Sequence, residues 1–200
     1  MNRLVICGSF RPEGKSAHLC DALARRMHDL WPEDEINLFS LADDIDVDPC
    51  IACDYCELGE GCIIEDAMQD LYALLDEADS LVVVSPIYFA GPPAQFKAVL
   101  DRFQRYFWTD VRTKPKRPAE LFAIGDGGDP HGFDPLTGIV RSALAVAGYR
   151  LGAVHDCVGK THDELYAIAA AWEPAQGGIS EVFGGGLPCS EDERAAGGAR

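Results

Sequence analysis

The chain has 200 residues, of which 48% are hydrophobic and 25% are charged, which is the composition of an ordinary globular protein with one core. Its 33 acidic and 17 basic side chains give a formal net charge of −16. A surface this negative repels nucleic-acid phosphates and anionic lipid, so we expect neither nucleic acid nor membrane as a partner. The first apolar run is too short for a secretory signal, and none reaches the roughly 18 residues of a membrane span. We therefore expect a cytoplasmic location.

The first predicted strand, Leu4–Cys7, leads into the loop Gly8-Ser-Phe-Arg-Pro-Glu-Gly-Lys-Ser16 and then into a helical pattern. Strand, glycine/serine loop and helix together direct free backbone N–H groups and the positive helix end toward a phosphate. Five residues separate the two loop glycines, whereas a nucleoside-triphosphate P-loop has four. The spacing favours a monophosphate site, and the alternative is a tight turn with a helix cap.

Half of the eight cysteines lie in one loop, residues 48–64, which follows a predicted second strand at Glu35–Phe39. The four clustered cysteines are Cys50, Cys53, Cys56 and Cys62. Compact cysteine runs of this kind wrap iron–sulfur clusters, although the last gap is longer than in the ferredoxin pattern, and Ile63 stands where that pattern has proline. A [4Fe–4S] cluster, a zinc ion, and reduced or disulfide-forming thiols all stay open as interpretations.

Three further strands are predicted, at Leu81–Ser85, Leu121–Ile124 and about Leu151–Cys157. Helical patterns precede, separate and follow them, at about residues 66–76, 96–103, 136–147 and 163–172. Strand and helix alternate five times, which predicts a parallel sheet covered by helices on both faces. Ligands of such folds bind beyond the carboxyl ends of the strands.

Two more loops open at that same predicted edge of the sheet. Pro86-Ile-Tyr-Phe-Ala-Gly-Pro-Pro93 is stiff and offers flat apolar surface to a ring, unless its aromatic side chains only close the core. Gly125-Asp-Gly-Gly-Asp-Pro-His-Gly132 has glycines that permit close backbone approach to a ligand. Together with the phosphate loop, these segments predict a mononucleotide with a large ring, and FMN is the obvious candidate.

The chain also contains a basic segment and a glycine-rich end. The segment Arg112–Pro118 holds four of the 17 basic residues and is either a solvated connector or an anion-guiding patch. From Gly177 onward the sequence is rich in glycine and lacks apolar periodicity. We therefore expect one domain at residues 1–176 and a tail at residues 177–200.

Five segments carry a resemblance to a known family: Gly8–Ser16, Cys50–Cys62, Glu65–Asp66, Ser85–Phe89 and Lys97–Arg102. In order and spacing they resemble the flavodoxin-like NAD(P)H-dependent FMN reductases and, within them, the iron–sulfur flavoproteins, over roughly residues 3–160. The resemblance implies a three-layer flavodoxin-like fold with a five-stranded parallel sheet in the order 2-1-3-4-5. It also implies NAD(P)H as cosubstrate and a homodimer or homotetramer.

The resemblance further implies that the FMN phosphate is held by Ser9, Arg11 and Ser16, with the ring held by the loops after the third and fourth strands. The candidate cofactor-binding residues are Ser9, Arg11, Gly14, Lys15, Ser16, Pro86, Ile87, Tyr88, Phe89, Ala90, Gly91, Gly125, Asp126, Gly127 and Gly128. It also implies that Cys50, Cys53, Cys56 and Cys62 are cluster ligands. No catalytic acid or base is identified, because flavin chemistry requires little side-chain catalysis.

Three functions are compatible with these features. The first is an FMN-dependent oxidoreductase that passes electrons from a reduced nicotinamide or a redox protein to a small acceptor. The second is an electron-transfer flavoprotein in which FMN and a [4Fe–4S] cluster exchange electrons with a ferredoxin-like partner. The third is a non-enzymatic module with zinc or redox-sensing thiols in the cysteine loop.

Overall fold

Five parallel strands form one sheet in the order β2-β1-β3-β4-β5. The structure, a computed structural model, describes residues 1–43, 46–59 and 61–174, so the predicted tail at residues 177–200 lies outside the described residues. The strands are β1 (Asn2–Cys7), β2 (Glu35–Ser40), β3 (Ser80–Pro86), β4 (Arg117–Gly125) and β5 (Tyr149–Val158). The predicted strand order and fold class are confirmed.

Helices cover both faces of this sheet. They are α1 (Lys15–Leu30), α2 (Met68–Glu77), α3 (Ala94–Arg102), α4 (Asp134–Val146) and α5 (His162–Ala171). Side chains of α1 and α5 pack with one face of the sheet, and those of α2, α3 and α4 pack with the other. The middle of β3, Leu81–Val84, is buried because it contacts both layers, which explains its unbroken apolar sequence. Within the described part of the chain, no helix combines the length and apolarity needed to cross a bilayer.

The strands run further than their apolar segments, and β4 shows why. It begins at Arg117, inside the predicted basic loop, because Arg117 forms hydrogen bonds that an apolar pattern does not reveal. Its guanidinium donates to the carbonyls of Leu75 and Ala78 at 2.8 Å each, at the end of α2, and to that of Ala147 at 3.2 Å, at the end of α4. The Tyr149 hydroxyl also donates to the Leu75 and Ala78 carbonyls, at 2.7 and 3.3 Å, so Arg117 and Tyr149 together satisfy carbonyls at the end of α2.

A second basic side chain of that loop serves the same purpose. The Lys116 ammonium donates to the carbonyls of Arg112 and Ala145 at 2.6 and 2.7 Å. Arg112 itself lies over the ring of Phe107, with 4.4 Å between the guanidinium carbon and the ring centroid. These contacts favour a structural role for the segment over an anion-guiding one.

Candidate functional site

The loop between β1 and α1, residues 8–16, is called the cradle below, and it has the features expected of a phosphate site. Gly8 N–H donates to the Val84 carbonyl at 2.8 Å, which fixes the start of the loop to the neighbouring strand. Ser9 and Ser16 are buried, with 5% and 4% of their surface exposed. Gly14 is the N-cap of α1, and no side chain caps this helix end in the described chain. Its first-turn N–H groups and the positive end of its dipole are thus available to a phosphate.

The cradle requires a glycine at its first position. A Cβ on Gly8 would lie 2.7 Å from two ring carbons of Phe96, which is fully buried in α3. We expect Gly8→Ala to lower the free energy of unfolding by about 1–3 kcal/mol through this overpacking, as measured by urea denaturation. Gly138→Ala is the control, because a Cβ there meets nothing within 4 Å in the interior of α4. The control should stabilise the fold by roughly 0.5–1 kcal/mol. Equal stability of the two variants would contradict this account.

A cavity of about 510 Å³ lies at the same edge of the sheet, within the usual size range of ligand pockets. Its lining residues are Ile87, Phe89, Gly125, Asp126, Gly127, Gly128, Asp129, Pro130, Gly132, Phe133, Asp156 and Val158. The Lys15 ammonium lies 3.2 Å from the Asp126 carboxylate, so an ion pair joins the cradle to the wall of the cavity. The structure thus brings together the three loops selected from the sequence.

The turn after β3 presents an aromatic ring to this cavity. Tyr88 and Gly91 exchange backbone hydrogen bonds of 2.8 and 3.0 Å. Between them, Phe89 and Ala90 adopt left-handed φ values of 51° and 63°, which are strained for residues other than glycine. The Phe89 side chain is fully exposed, whereas Ala90 is buried and its carbonyl accepts a 2.9 Å hydrogen bond from Leu136. Strain held in place by this packing is typical of a binding site.

Three more of the predicted cofactor-binding residues are Arg11, Pro86 and Tyr88, and they differ in exposure and position. Arg11 is exposed, and its N–H donates to the Ser9 hydroxyl at 3.2 Å. Pro86 ends β3 at the rim of the cavity. Tyr88 is about half exposed and lies outside the lining of the cavity.

Sequence reasoning missed the contribution of β5 to the cavity. Asp156 and Val158 line it, and Gly159 N–H donates to the Gly125 carbonyl at 2.7 Å. The signal was present, because β5 is parallel to β4 and its carboxyl end must reach the same edge. Polar Asp156 within a predicted strand was the residue to select.

The four loop cysteines surround a second, small cavity of about 40 Å³. Cys50 and Cys53 are exposed, while Cys56 and Cys62 are partly buried. Ala52 and Asp54, on either side of Cys53, have left-handed φ values of 52° and 56°. Burial raises the pKa of the Cys56 thiol, and the charges of the other three cysteines raise this pKa further. One cation among the four sulfurs would relieve that repulsion.

The thiols are not arranged as a finished metal site. Among residues 1–43, 46–59 and 61–174, no group of three or more His, Cys, Asp or Glu side chains has the geometry to hold a metal ion. All the cysteines described are free thiols. The donor set nevertheless fits a thiolate-bound centre in its chemistry and in its shared cavity.

The fold and this site define a flavodoxin-like protein. Over residues 1–151 the chain matches the family described as NADPH-dependent FMN reductase, and it belongs to that family. An iron–sulfur flavoprotein of Methanosarcina thermophila is 40% identical over 121 residues, covering 60% of this chain and 51% of the relative. An iron–sulfur flavoprotein of Methanocaldococcus jannaschii is 35% identical over 102 residues, covering 51% of each. The chain spans about half the length of the curated relatives it matches.

Solved structures share the fold at low sequence identity. An NAD(P)H:quinone oxidoreductase from Methanothermobacter marburgensis superimposes with a TM-score of 0.61 at 12% identity, covering 85% of this chain and 95% of that chain. An azoreductase from Bacillus anthracis gives a TM-score of 0.58 at 16% identity, covering 86% of this chain and 100% of that chain. The shared architecture is the parallel sheet with helices on both faces.

Proposed function

We propose that this chain is an FMN-dependent oxidoreductase that passes electrons from a reduced nicotinamide or a redox protein to a small acceptor. One observation carries the proposal: an uncapped helix N-terminus and a 510 Å³ cavity lie at one edge of the sheet, joined by the Lys15–Asp126 ion pair. A ligand that carries a phosphate on a large ring requires both, the helix N-terminus for its phosphate and the cavity for its ring. Membership of the NADPH-dependent FMN reductase family supports the same assignment.

Each part of the site has a defined task in this proposal. Ser9, Ser16 and the first-turn N–H groups of α1 bind the phosphate, and Arg11 adds a positive charge at its exposed side. The Pro86–Gly91 and Gly125–Gly128 segments enclose the ring and exclude water from one side of it. When bound, FMN supplies hydride acceptance and electron release singly or in pairs. The chain supplies position and electrostatics, and we assign no acid or base to it.

A second candidate function adds an iron–sulfur centre to the flavin. Four cysteines that share one cavity favour it, and so do the names of the relatives, which are iron–sulfur flavoproteins. In this version the four thiolates hold a [4Fe–4S] cluster, and a ferredoxin-like protein is the electron partner. A zinc ion or free thiols are the alternatives at these four cysteines. Metal analysis distinguishes the cluster, the zinc ion and the free thiols.

We further propose that the active form is a homodimer or homotetramer. Large apolar side chains border the cysteine cavity and are accessible to solvent in the single chain. Ile51 is 64% exposed, Ile63 50% and Trp108 45%, and all three line that cavity. An exposed apolar patch of this kind marks a protein interface more often than a free surface.

Anaerobic mixing of the FMN-loaded protein with NADH or NADPH tests the reductase assignment. We expect the visible flavin absorbance to bleach within seconds and to return when a quinone is added. Free FMN at the same concentration is the control, because it shows the slow background reaction. If neither nicotinamide bleaches the bound flavin while dithionite does, the nicotinamide-dependent reductase is wrong, and reduced ferredoxin becomes the donor to test.

A further inference from the structure

A buried arginine lies against the cysteine cavity. Arg102 is the last residue of α3, and only 1% of its surface is exposed. It lines the small cavity together with Cys50, Cys53, Cys56 and Cys62. A charged side chain is rarely this buried unless it is paired and hydrogen-bonded.

One guanidinium holds both ends of the cysteine loop. Arg102 Nη1 donates to the carbonyl of Asp48, the first residue of the loop, at 2.9 Å, and Nη2 donates to the carbonyl of Ile64, its last residue, at 3.2 Å. The same two nitrogens bind the Asp66 carboxylate at 2.8 and 3.1 Å in a bidentate pair. Asp66 in turn accepts N–H bonds from Asp48 at 2.9 Å and from Met68 at 3.0 Å. These bonds tie the two ends of the loop together through protein groups.

The Arg102–Asp66 pair, called the clamp below, is ionised on both sides at neutral pH. Burial alone would raise the pKa of Asp66, but the hydrogen bonds from Arg102 and from the Asp48 and Met68 backbones outweigh it and lower that pKa. Burial opposes the charge of Arg102, yet its hydrogen bonds to Asp66 hold its pKa above the ordinary value. The Asp66 carboxylate therefore stays charged at neutral pH, as its bidentate contact requires.

The clamp also reaches one of the four thiols. The buried Tyr72 hydroxyl donates to the Arg102 carbonyl at 2.9 Å, and burial together with the nearby Cys62 thiol raises the pKa of Tyr72. Arg102 Nε has no hydrogen-bond partner within the described residues, so this buried N–H lacks an acceptor.

We propose that Arg102, paired with Asp66, is a positioning residue that gathers the four thiols around one cavity before any inorganic centre binds. A thiolate or inorganic sulfide in the cavity would supply the acceptor that Arg102 Nε lacks. The nature of the centre rests on the proposed function, but the closure of the loop does not. An experiment can therefore contradict the proposed clamp without contradicting the proposed cluster, and the reverse.

Cysteine labelling in the metal-free protein tests the clamp. Each cysteine is alkylated with iodoacetamide for varied times, and modification is read by mass spectrometry. In the wild type, partly buried Cys56 and Cys62 should react about tenfold more slowly than Cys50 and Cys53. In Arg102→Lys this difference should disappear, because one ammonium cannot bridge two carbonyls and both carboxylate oxygens. Buried Cys157 reports global unfolding and should stay unreacted.

Arg117→Lys is the matched control. It also removes a partly buried guanidinium that binds several carbonyls, but at the ends of α2 and α4. Its labelling pattern should match that of the wild type. If Arg102→Lys retains the wild-type pattern, or if Arg117→Lys loses it equally, the proposal is overturned. Should Arg102→Lys fail to fold, Asp66→Asn removes the partner charge at similar volume, and the same two outcomes apply.

Cobalt(II) titration gives a spectroscopic readout of the same claim. Thiolate-to-cobalt charge-transfer absorption reports whether the four sulfurs converge on one ion, and it requires neither iron nor flavin. We expect the apparent affinity for cobalt(II) to fall about tenfold in Arg102→Lys and to be unchanged in Arg117→Lys. Equal affinities in the two variants would contradict a positioning role. If labelling shows the expected differences but the protein takes up no iron, the clamp is supported and the iron–sulfur cluster is excluded.

Discussion

Ser16→Asp is expected to weaken FMN binding by roughly a hundredfold, about 2.8 kcal/mol at 1.4 kcal/mol per tenfold. Ser16 is buried in the first turn of α1, where the unpaired N–H groups form the phosphate cradle. An aspartate there brings a negative charge against the phosphate and itself accepts the donors that the phosphate requires. The fold should survive, because a carboxylate in a first helical turn is favourable. Fluorescence titration of the apoprotein with FMN measures the effect.

Ser142→Asp is the matched control for this substitution. Ser142 is exposed on α4, so the variant carries the same added charge away from the cradle. Its affinity for FMN should stay within about twofold of the wild type, which is under 0.5 kcal/mol. If Ser16→Asp binds FMN as tightly as Ser142→Asp does, the phosphate does not lie at the start of α1.

Cys53→Ser should abolish iron binding while FMN binding stays normal. A [4Fe–4S] centre uses about four cysteine thiolates, and a serine hydroxyl in place of one removes a strong soft ligand. Cys53 is exposed and lies between the left-handed residues Ala52 and Asp54, so the substitution disturbs no packed core. Iron, sulfide and flavin are quantified on protein purified without oxygen. The expected result is a fall from about four iron atoms per chain to near zero.

Cys157→Ser separates a ligand effect from a general cysteine effect. Cys157 is buried in β5 and packs in the core on the other face of the sheet from Cys62, and burial raises its pKa to about 11, so this thiol is protonated at neutral pH. This variant should retain wild-type iron. If Cys53→Ser contains as much iron as Cys157→Ser, the proposed cluster is wrong. Zinc or free thiols would then be the interpretations to test.

The sheet was predictable because its strands are chemically simple. The apolar runs in β1 and β3 are buried on both faces, and alternation with helices leaves few parallel topologies. The start of β4 was not predictable in the same way. Arg117 belongs to the strand because it binds the carbonyl ends of α2 and α4, and those contacts join residues 30 to 42 positions apart.

The candidate site also has parts that could be predicted from the sequence and parts that could not. The loops after β1, β3 and β4 follow from sequence order and strand direction, so their shared edge was predictable. The left-handed turn at Phe89 and Ala90 was not, since neither residue favours that conformation by itself. The Arg102–Asp66 clamp was also invisible, although both residues stand in segments that carry the family resemblance. Its meaning depends on the distance between two side chains that are 36 residues apart in sequence.

Direct measurement of the cofactor tests the central claim of FMN binding most simply. The absorption spectrum of protein purified without oxygen should show bound flavin, with about one FMN per chain released on denaturation. Apoprotein should recover that stoichiometry when FMN is added. Protein that contains no flavin and fails to bind added FMN would contradict the assignment of the cradle and the cavity as an FMN site.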